Sequence, residues 1–204
     1  MKAIIGLFTL LAIPLTMLNL FGGVVSGVWL AVLGDWGSIG YGLLAMIASS
    51  FVLAIAMMPS LLFAGPAIYF ARKGVDILFF FFSFLGSLYI VALITVWSGG
   101  VLWFFAERAT ADSVIPILIW SFGVALAPWQ WMAQKEMQAG EGQGSAVTVF
   151  FAQVAYLFAI LMAIFGAFTF FDIMVMFGIV MLIGVFFQFG TAIQAMRSDP
   201  RLGY

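Results

Sequence analysis

The sequence predicts an all-α membrane protein, a single transmembrane domain (residues 1–204) folded as a polytopic bundle of six transmembrane helices. Three observations lead to this prediction. Hydrophobic residues make up 66% of the chain and charged residues 7%, whereas soluble domains carry about 25% charged residues. Apolar stretches of the length that a bilayer requires, about 20 residues, alternate with short polar segments. The basic residues fall almost entirely on one side of that arrangement.

Charged and turn-forming residues divide the chain into its spans. The predicted spans are 3–33, 40–71, 75–106, 113–133, 146–170 and 173–195. Each of the first three exceeds 30 residues, so they must tilt, kink or project beyond the bilayer. Pro14, Pro59 and Pro66 lie inside such spans and supply kink points. The apolar run after Lys2 contains no cleavage site of the signal-peptide type, so we expect a retained first helix.

The last two spans are inferred from one long apolar stretch. Residues 146–195 number 50. One helix of that length would measure about 75 Å, more than twice the thickness of the hydrocarbon core. The stretch must therefore fold back, and 169–172 is the polar place to turn. We expect Asp172 to be the N-cap of the sixth helix.

Basic residues predict the orientation, because cytoplasmic loops of membrane proteins are enriched in Lys and Arg. The side that holds both termini carries Lys2, Arg72, Lys73, Lys135, Arg197 and Arg201. The opposite side carries only Arg108. Six basic residues on one side against one on the other predict that both termini are cytoplasmic. We expect the membrane to be a bacterial cytoplasmic (inner) membrane.

An internal echo accompanies the even-numbered helices. Pro66-x-x-Tyr69-x-Ala71-x-Lys73 is followed 62 residues later by Pro128-x-x-Trp131-x-Ala133-x-Lys135, and a fainter version ends at Arg197. One hypothesis is three tandem helical hairpins with a common ancestor. The other is that every helix running toward the cytoplasm ends in an aromatic belt and a basic anchor. The second is favoured, because the outer halves do not align at this offset.

The composition excludes several kinds of chemistry. Cysteine and histidine are absent, which removes thiolate nucleophiles, Cys/His zinc sites and histidine-ligated haem. All fifteen charged residues lie at or near span ends, which argues against a proton-driven pump, a voltage sensor and a carboxylate-based transferase. The sequence contains no stripe of basic residues of the kind that binds nucleic acid. We therefore expect that the protein is not an enzyme and that it has no catalytic, cofactor-binding or metal-binding residues.

Uncharged polar residues are the remaining candidates for pore-lining or packing groups. They are Asn19, Ser83, Ser87, Gln153 and Gln188. Asn19 precedes a run of small residues, Gly22 to Gly27, which favours helix packing over solute contact. Ser83 and Ser87 share a helix face and would line a hydrated path if they had a function beyond packing. Gln153 and Gln188 are expected to hydrogen-bond to each other.

The cytoplasmic ends offer candidate contacts for a soluble partner. These are Arg72, Lys73, Lys135, Glu141, Arg197 and Arg201, of which Glu141 belongs to a glycine-rich loop. That loop is not a phosphate cradle, because it follows a transmembrane helix and carries an acid where a lysine is needed.

Two functions fit this sequence. The first is a non-catalytic membrane subunit that forms homo-oligomers, anchors other subunits or forms a channel. The alternative is a small secondary transporter for a neutral or lipid-like solute, with Asn, Gln, Ser and Trp120 as its site. A transporter should hold its polar groups inside one chain, whereas a scaffold or channel should hold them at a subunit interface.

Overall fold

The chain folds as a bundle of α-helices. A computed structural model describes residues 2–138, 143–165 and 170–198. The helices, in chain order, are α1 (Lys2–Val32), α2 (Trp36–Met57), α3 (Leu61–Arg72), α4 (Asp76–Ala106), α5 (Val114–Gln138), α6 (Gln143–Phe165) and α7 (Phe170–Ser198). A 3-10 turn, Met58–Ser60, joins α2 to α3. The prediction of an all-α fold is confirmed.

Four segments of the described chain are long and apolar enough to cross a membrane: Ala3–Val32, Trp36–Arg72, Asp76–Ala106 and Val114–Lys135. The apolar parts found in the last two helices are shorter, Ala146–Phe158 and Val175–Gln188. Large apolar side chains cover the outside of the bundle, among them Phe21, Phe51 and Leu62. A soluble monomer rarely exposes such a surface, and a helical membrane protein requires it.

The second predicted span begins earlier than expected and is broken. Its first helix starts at Trp36 because Asp35 caps it: the carboxylate accepts hydrogen bonds from the Ser38 N–H at 3.1 Å and the Ser38 hydroxyl at 2.7 Å. Gly34 precedes the cap with φ of 80°, a left-handed conformation that glycine adopts without strain. The turn into the second span is therefore tighter than hydropathy indicates.

Only one of the three expected kinks changes the helix type. Pro14 and Pro66 lie within helices that continue through them, and Pro128 does the same in α5. Pro59 has no N–H for a bond to Ile55, and the Met58 N–H donates to the Ile55 carbonyl instead, which tightens the chain into the 3-10 turn.

α5 lies at the centre of the bundle and packs against α1, α2, α4 and α6. α7 packs against α6 and α4, and α3 packs against α4. α1 and α2 make few contacts with each other although a short turn joins them. The chain therefore does not form three equivalent hairpins.

The two ends of the bundle differ in charge. We call the end at which α3 and α5 finish the basic end, since Arg72, Lys73 and Lys135 lie there. The other end, where α1 and α4 finish, is the far end, and its charged residues include Asp35, Glu107, Arg108 and Asp112.

The expected cap of the last helix is not where the sequence indicated. α7 begins at Phe170, so Asp172 lies in its first turn and is not its N-cap. The position is still favourable, because a carboxylate in the first turn interacts with the positive end of the helix dipole. The segment 166–169, where the turn was predicted, lies outside the described residues.

Candidate functional site: a buried carboxamide seam

Three side-chain amides lie along the seam where α1, α5 and α6 meet: Asn19, Gln130 and Gln153. We call this set the carboxamide seam. The three helices contact one another pairwise. Near the basic end the seam is closed by a buried cluster of Ala12, Ala133 and Val149, one residue from each helix.

α1 and α5 bring Asn19 against a glycine. Asn19 is seven residues after Ala12, a step that returns to the same helix face. Its Oδ1 lies 3.8 Å from the point where a Cβ on Gly123 would sit. Because Gly123 has no side chain, α5 leaves the amide its space. Gln130 is seven residues after Gly123 and three before Ala133, so it shares this face of α5.

α6 supplies the third amide. Val149, Gln153 and Tyr156 follow one another at spacings of four and three, which places them on one face. Val149 packs in the cluster that closes the basic end of the seam. The Tyr156 hydroxyl donates to the Ile119 carbonyl of α5 at 3.3 Å. Gln153 therefore lies between two contacts that α6 makes with its neighbours.

Four polar atoms of these amides are buried without a hydrogen-bond partner in the described part of the chain. Asn19 is 5% exposed and Gln153 is 0% exposed. Among the described residues, the Asn19 Oδ1, the Gln130 Nε2 and both polar atoms of the Gln153 amide have no partner. Buried polar groups are nearly always paired, and each one left unpaired costs about 1–3 kcal/mol. The seam thus keeps several hydrogen-bonding groups unused at a substantial cost in stability.

Trp120 of α5 lies beside the seam, between α1 and α2. A Cβ built on Gly27 of α1 would lie 3.1 Å from its ring, and Gly42 of α2 packs against the same ring. Its Nε1 donates to the Ser38 carbonyl at 3.3 Å. Trp120 therefore joins α5 to α1 and α2, and its N–H is already engaged.

The chemistry of the seam is neutral. A carboxamide offers two N–H donors and a carbonyl acceptor, and it has no charge to give a cation or to move a proton. Within the described ranges, no three Asp or Glu side chains come together as a metal site would require. The seam therefore supplies both hydrogen-bond donors and acceptors without charge.

The small-residue face of α1 packs within the same chain. A Cβ built on Gly22 would lie 3.6 Å from the Ile119 side chain, and one built on Gly27 would lie 3.1 Å from the Trp120 ring. Ser26, between them, is buried. These three positions pack within the chain, whereas Gly23 has no atom within 4 Å of a built Cβ.

The expected pair of glutamines does not form. The Gln188 Oε1 accepts a hydrogen bond from the Thr148 hydroxyl at 3.0 Å. Thr148 and Gln153 are five positions apart, a rotation of about 140° around α6, so they face different neighbours. The predicted pairing was wrong because it used depth in the membrane and ignored the helix face.

The two serines of α4 are not part of the seam. Ser83 and Ser87 are half-buried. Ser87 lines a narrow groove between α4 and α7, beside Leu182 and Phe186. The structure places them on another side of the bundle from Asn19 and Gln153.

The candidate partner contacts at the basic end are partly described. Arg72, Lys73 and Lys135 are exposed. The Lys73 Nζ lies 6.0 Å from the Tyr69 ring centre and the Lys135 Nζ 3.9 Å from the Trp131 ring. The two copies of the internal echo thus end in the same lysine–aromatic pair. Glu141, Arg201 and the side chain of Arg197 lie outside the described residues.

Two residues of this site were missed from the sequence. Neither Gln130 nor Tyr156 was singled out from the sequence. The seven-residue distance of Gln130 from Gly123 gives it the same helix face. A buried tyrosine hydroxyl needs an acceptor and so identifies a helix contact.

No protein-family model, curated protein or solved structure matches the chain.

Proposed function

We propose that the protein is a six-span transporter of the bacterial inner membrane for a small, uncharged, hydrogen-bonding solute. The observation that carries the proposal is a set of buried amide atoms inside one chain, unpartnered among its described residues: the Asn19 Oδ1, the Gln130 Nε2 and both polar atoms of Gln153. Polar groups inside a membrane bundle are expensive, and a functional role accounts for keeping them unpaired.

The groups in the seam favour a particular class of solute. Amide N–H and C=O groups complement molecules that both donate and accept hydrogen bonds, such as small polyols, ureas and amides. An ion is disfavoured, because three carboxamides supply at most three carbonyl oxygens to replace its hydration shell and no opposite charge compensates the loss. Lipid-like solutes are disfavoured, because their apolar parts would leave the amides unpaired.

Passage requires the seam to open at each end in turn. The cluster of Ala12, Ala133 and Val149 closes the basic end, and the contact among Gly22, Ile119 and Tyr156 closes the seam toward the far end. Rocking of α1 and α6 against α5 would open one closure at a time, as in transporters built from helix pairs. No charged residue lies in the seam, so the movement would follow the solute gradient alone.

Both termini are placed in the cytoplasm in this proposal, and labelling tests that placement. The chain contains no cysteine, so single cysteines can be introduced without background. In intact cells, an impermeant maleimide should label Ala111→Cys, in the turn before α5, and should reach Gln134→Cys only after permeabilisation. The reverse pattern would invert the topology.

Solute transport can be measured by light scattering from proteoliposomes exposed to gradients of glycerol, urea and acetamide. We expect the wild-type chain to raise permeability to at least one of them above empty vesicles. Gln153→Met should remove that increase. Gln188→Met is the matched control, an equivalent change outside the seam, and should retain it. Equal permeability of wild-type and empty vesicles for all three solutes would refute the proposal.

A second candidate is the non-catalytic membrane subunit, as a homo-oligomer or channel that also anchors a soluble cytoplasmic partner. The observation that favours it is a set of outward glycines with no atom within 4 Å of a built Cβ: Gly6, Gly40 and Gly65. Small residues on exposed faces let a second helix approach closely. Native mass measurement in mild detergent tests it, because a monomer without bound partners would refute it.

A further inference from the structure

A cleft lies between α2 and α4 toward the far end. Its volume is about 410 Å³, within the range of about 300–1,000 Å³ that small-molecule sites occupy. α2 contributes Tyr41 and Ala45, and α4 contributes the segment from Leu93 to Phe105. The lining is aliphatic and aromatic, so the cleft suits a hydrocarbon chain.

The cleft opens sideways onto the apolar surface of the bundle. Val96 at its rim is 74% exposed. Gly100 lies in its wall with nothing within 4 Å of a built Cβ, so the missing side chain forms part of the space. From Leu93 to Phe105 the helix rises about 18 Å. That length is close to the hydrocarbon depth of one leaflet, about 15 Å.

A cation lies at the mouth of the cleft. The Arg108 guanidinium carbon is 3.6 Å from the Phe104 ring centre and 5.4 Å from the Tyr41 ring centre, and both rings line the cleft. One N–H donates to the Phe104 carbonyl at 2.8 Å. Arginine has five N–H donors, so further donors are left for an anion. Arg108 is also the basic residue that stands apart from the other six in the sequence.

We propose that this cleft binds one phospholipid, with an acyl chain between α2 and α4 and its phosphate on Arg108. An apolar cleft that ends at an arginine matches an amphiphile with an anionic group at one end of a hydrocarbon chain. A purely apolar partner helix would leave the guanidinium without an anion. The lipid would hold α2 and α4 apart at a fixed distance.

Native mass spectrometry of the full chain tests this inference. The protein is reconstituted in nanodiscs of phosphatidylethanolamine and phosphatidylglycerol and then transferred to mild detergent. We expect one phospholipid retained per chain. Gly100→Leu should abolish retention by filling the cleft, with Gly100→Ala intermediate. Arg108→Gln should weaken retention about tenfold or more, as expected for losing hydrogen bonds to a charged group.

Gly65→Leu is the matched control, because it adds the same side chain to an open glycine outside the cleft. It should retain the lipid, and circular dichroism should show equal helicity for all variants. Wild-type retention of detergent or fatty acid alone would overturn the inference. Equal retention by Gly100→Leu, equal loss in Gly65→Leu or undiminished binding in Arg108→Gln would each overturn it as well.

Discussion

Replacing Gln153 by methionine separates a functional amide from a structural one. Methionine has nearly the same length and volume but no hydrogen-bonding amide. Gln153 is completely buried, and both polar atoms of its amide lack partners among the described residues. Replacing an amide that hydrogen-bonds two helices together would lower the stability of the protein. Replacing an unpartnered buried amide should raise it.

The expected gain follows from the cost of an unsatisfied group, about 1–3 kcal/mol. We therefore expect Gln153→Met to raise the free energy of unfolding by about 1–3 kcal/mol. For a chain of this size, each kcal/mol corresponds to about 2–4 °C in Tm. The same variant should lose solute transport, because the guest would find an apolar wall.

Thermal unfolding of the purified protein in one detergent measures the change in stability. Gln188→Met is the reference, because it removes the bond that Thr148 donates at 3.0 Å. Bonds of this kind inside membrane proteins contribute about 0.6 kcal/mol on average, so this variant should unfold at a slightly lower temperature. If Gln153→Met lowered the Tm as Gln188→Met does, Gln153 would be a packing residue and the seam would not be a solute site.

Two further substitutions test how α2 is held. Gly42→Ala should destabilise the protein by about 1–3 kcal/mol, because the new Cβ would overlap the Trp120 indole. Gly40→Ala, with nothing within 4 Å, should be neutral or stabilising by up to about 1 kcal/mol, and equal Tm values for the two variants would contradict the close Trp120 contact. Asp35→Ala should lower stability by about 0.5–2 kcal/mol through loss of the cap bonds to Ser38. Amide exchange should accelerate in the first turn of α2, and an unchanged exchange rate there would show that the cap does not hold that turn.

Some ends of the helices were predictable because charged residues and turn-forming glycines interrupt the apolar stretches. The third span, predicted at 75–106, is Asp76–Ala106 in the structure. Gly74, with φ of 69°, forms the turn before it. Charges and left-handed glycines cannot lie in a lipid-facing helix, so they identify the turns by composition alone.

The inward faces were not predictable by the same means. In water an amphipathic pattern shows which side of a helix is buried. α4 is apolar around its whole circumference, so its sequence gives no such signal. The wrong pairing of Gln153 with Gln188 arose in this way. Hydropathy indicates how deep a residue lies in the membrane, but not which side of its helix faces the bundle. Recognising the seam required the relative rotation of three helices, which depends on how Gly22 and Gly123 let backbones approach.

The 3-10 turn at Pro59 shows where a helix inside a bilayer is permitted to break. The hydroxyl of Tyr89, on α4, donates to the Ala56 carbonyl at 2.6 Å, just before that turn. Hydrocarbon offers no donor to a carbonyl freed at a kink, so a neighbouring helix has to provide one. The donor for this bend is thus a tyrosine on α4, 33 residues away in sequence from the carbonyl that accepts its hydrogen bond. A 3-10 turn moved elsewhere along this span would lack that donor. Pro59 and Tyr89 are therefore expected to change together in any sequence that keeps the fold.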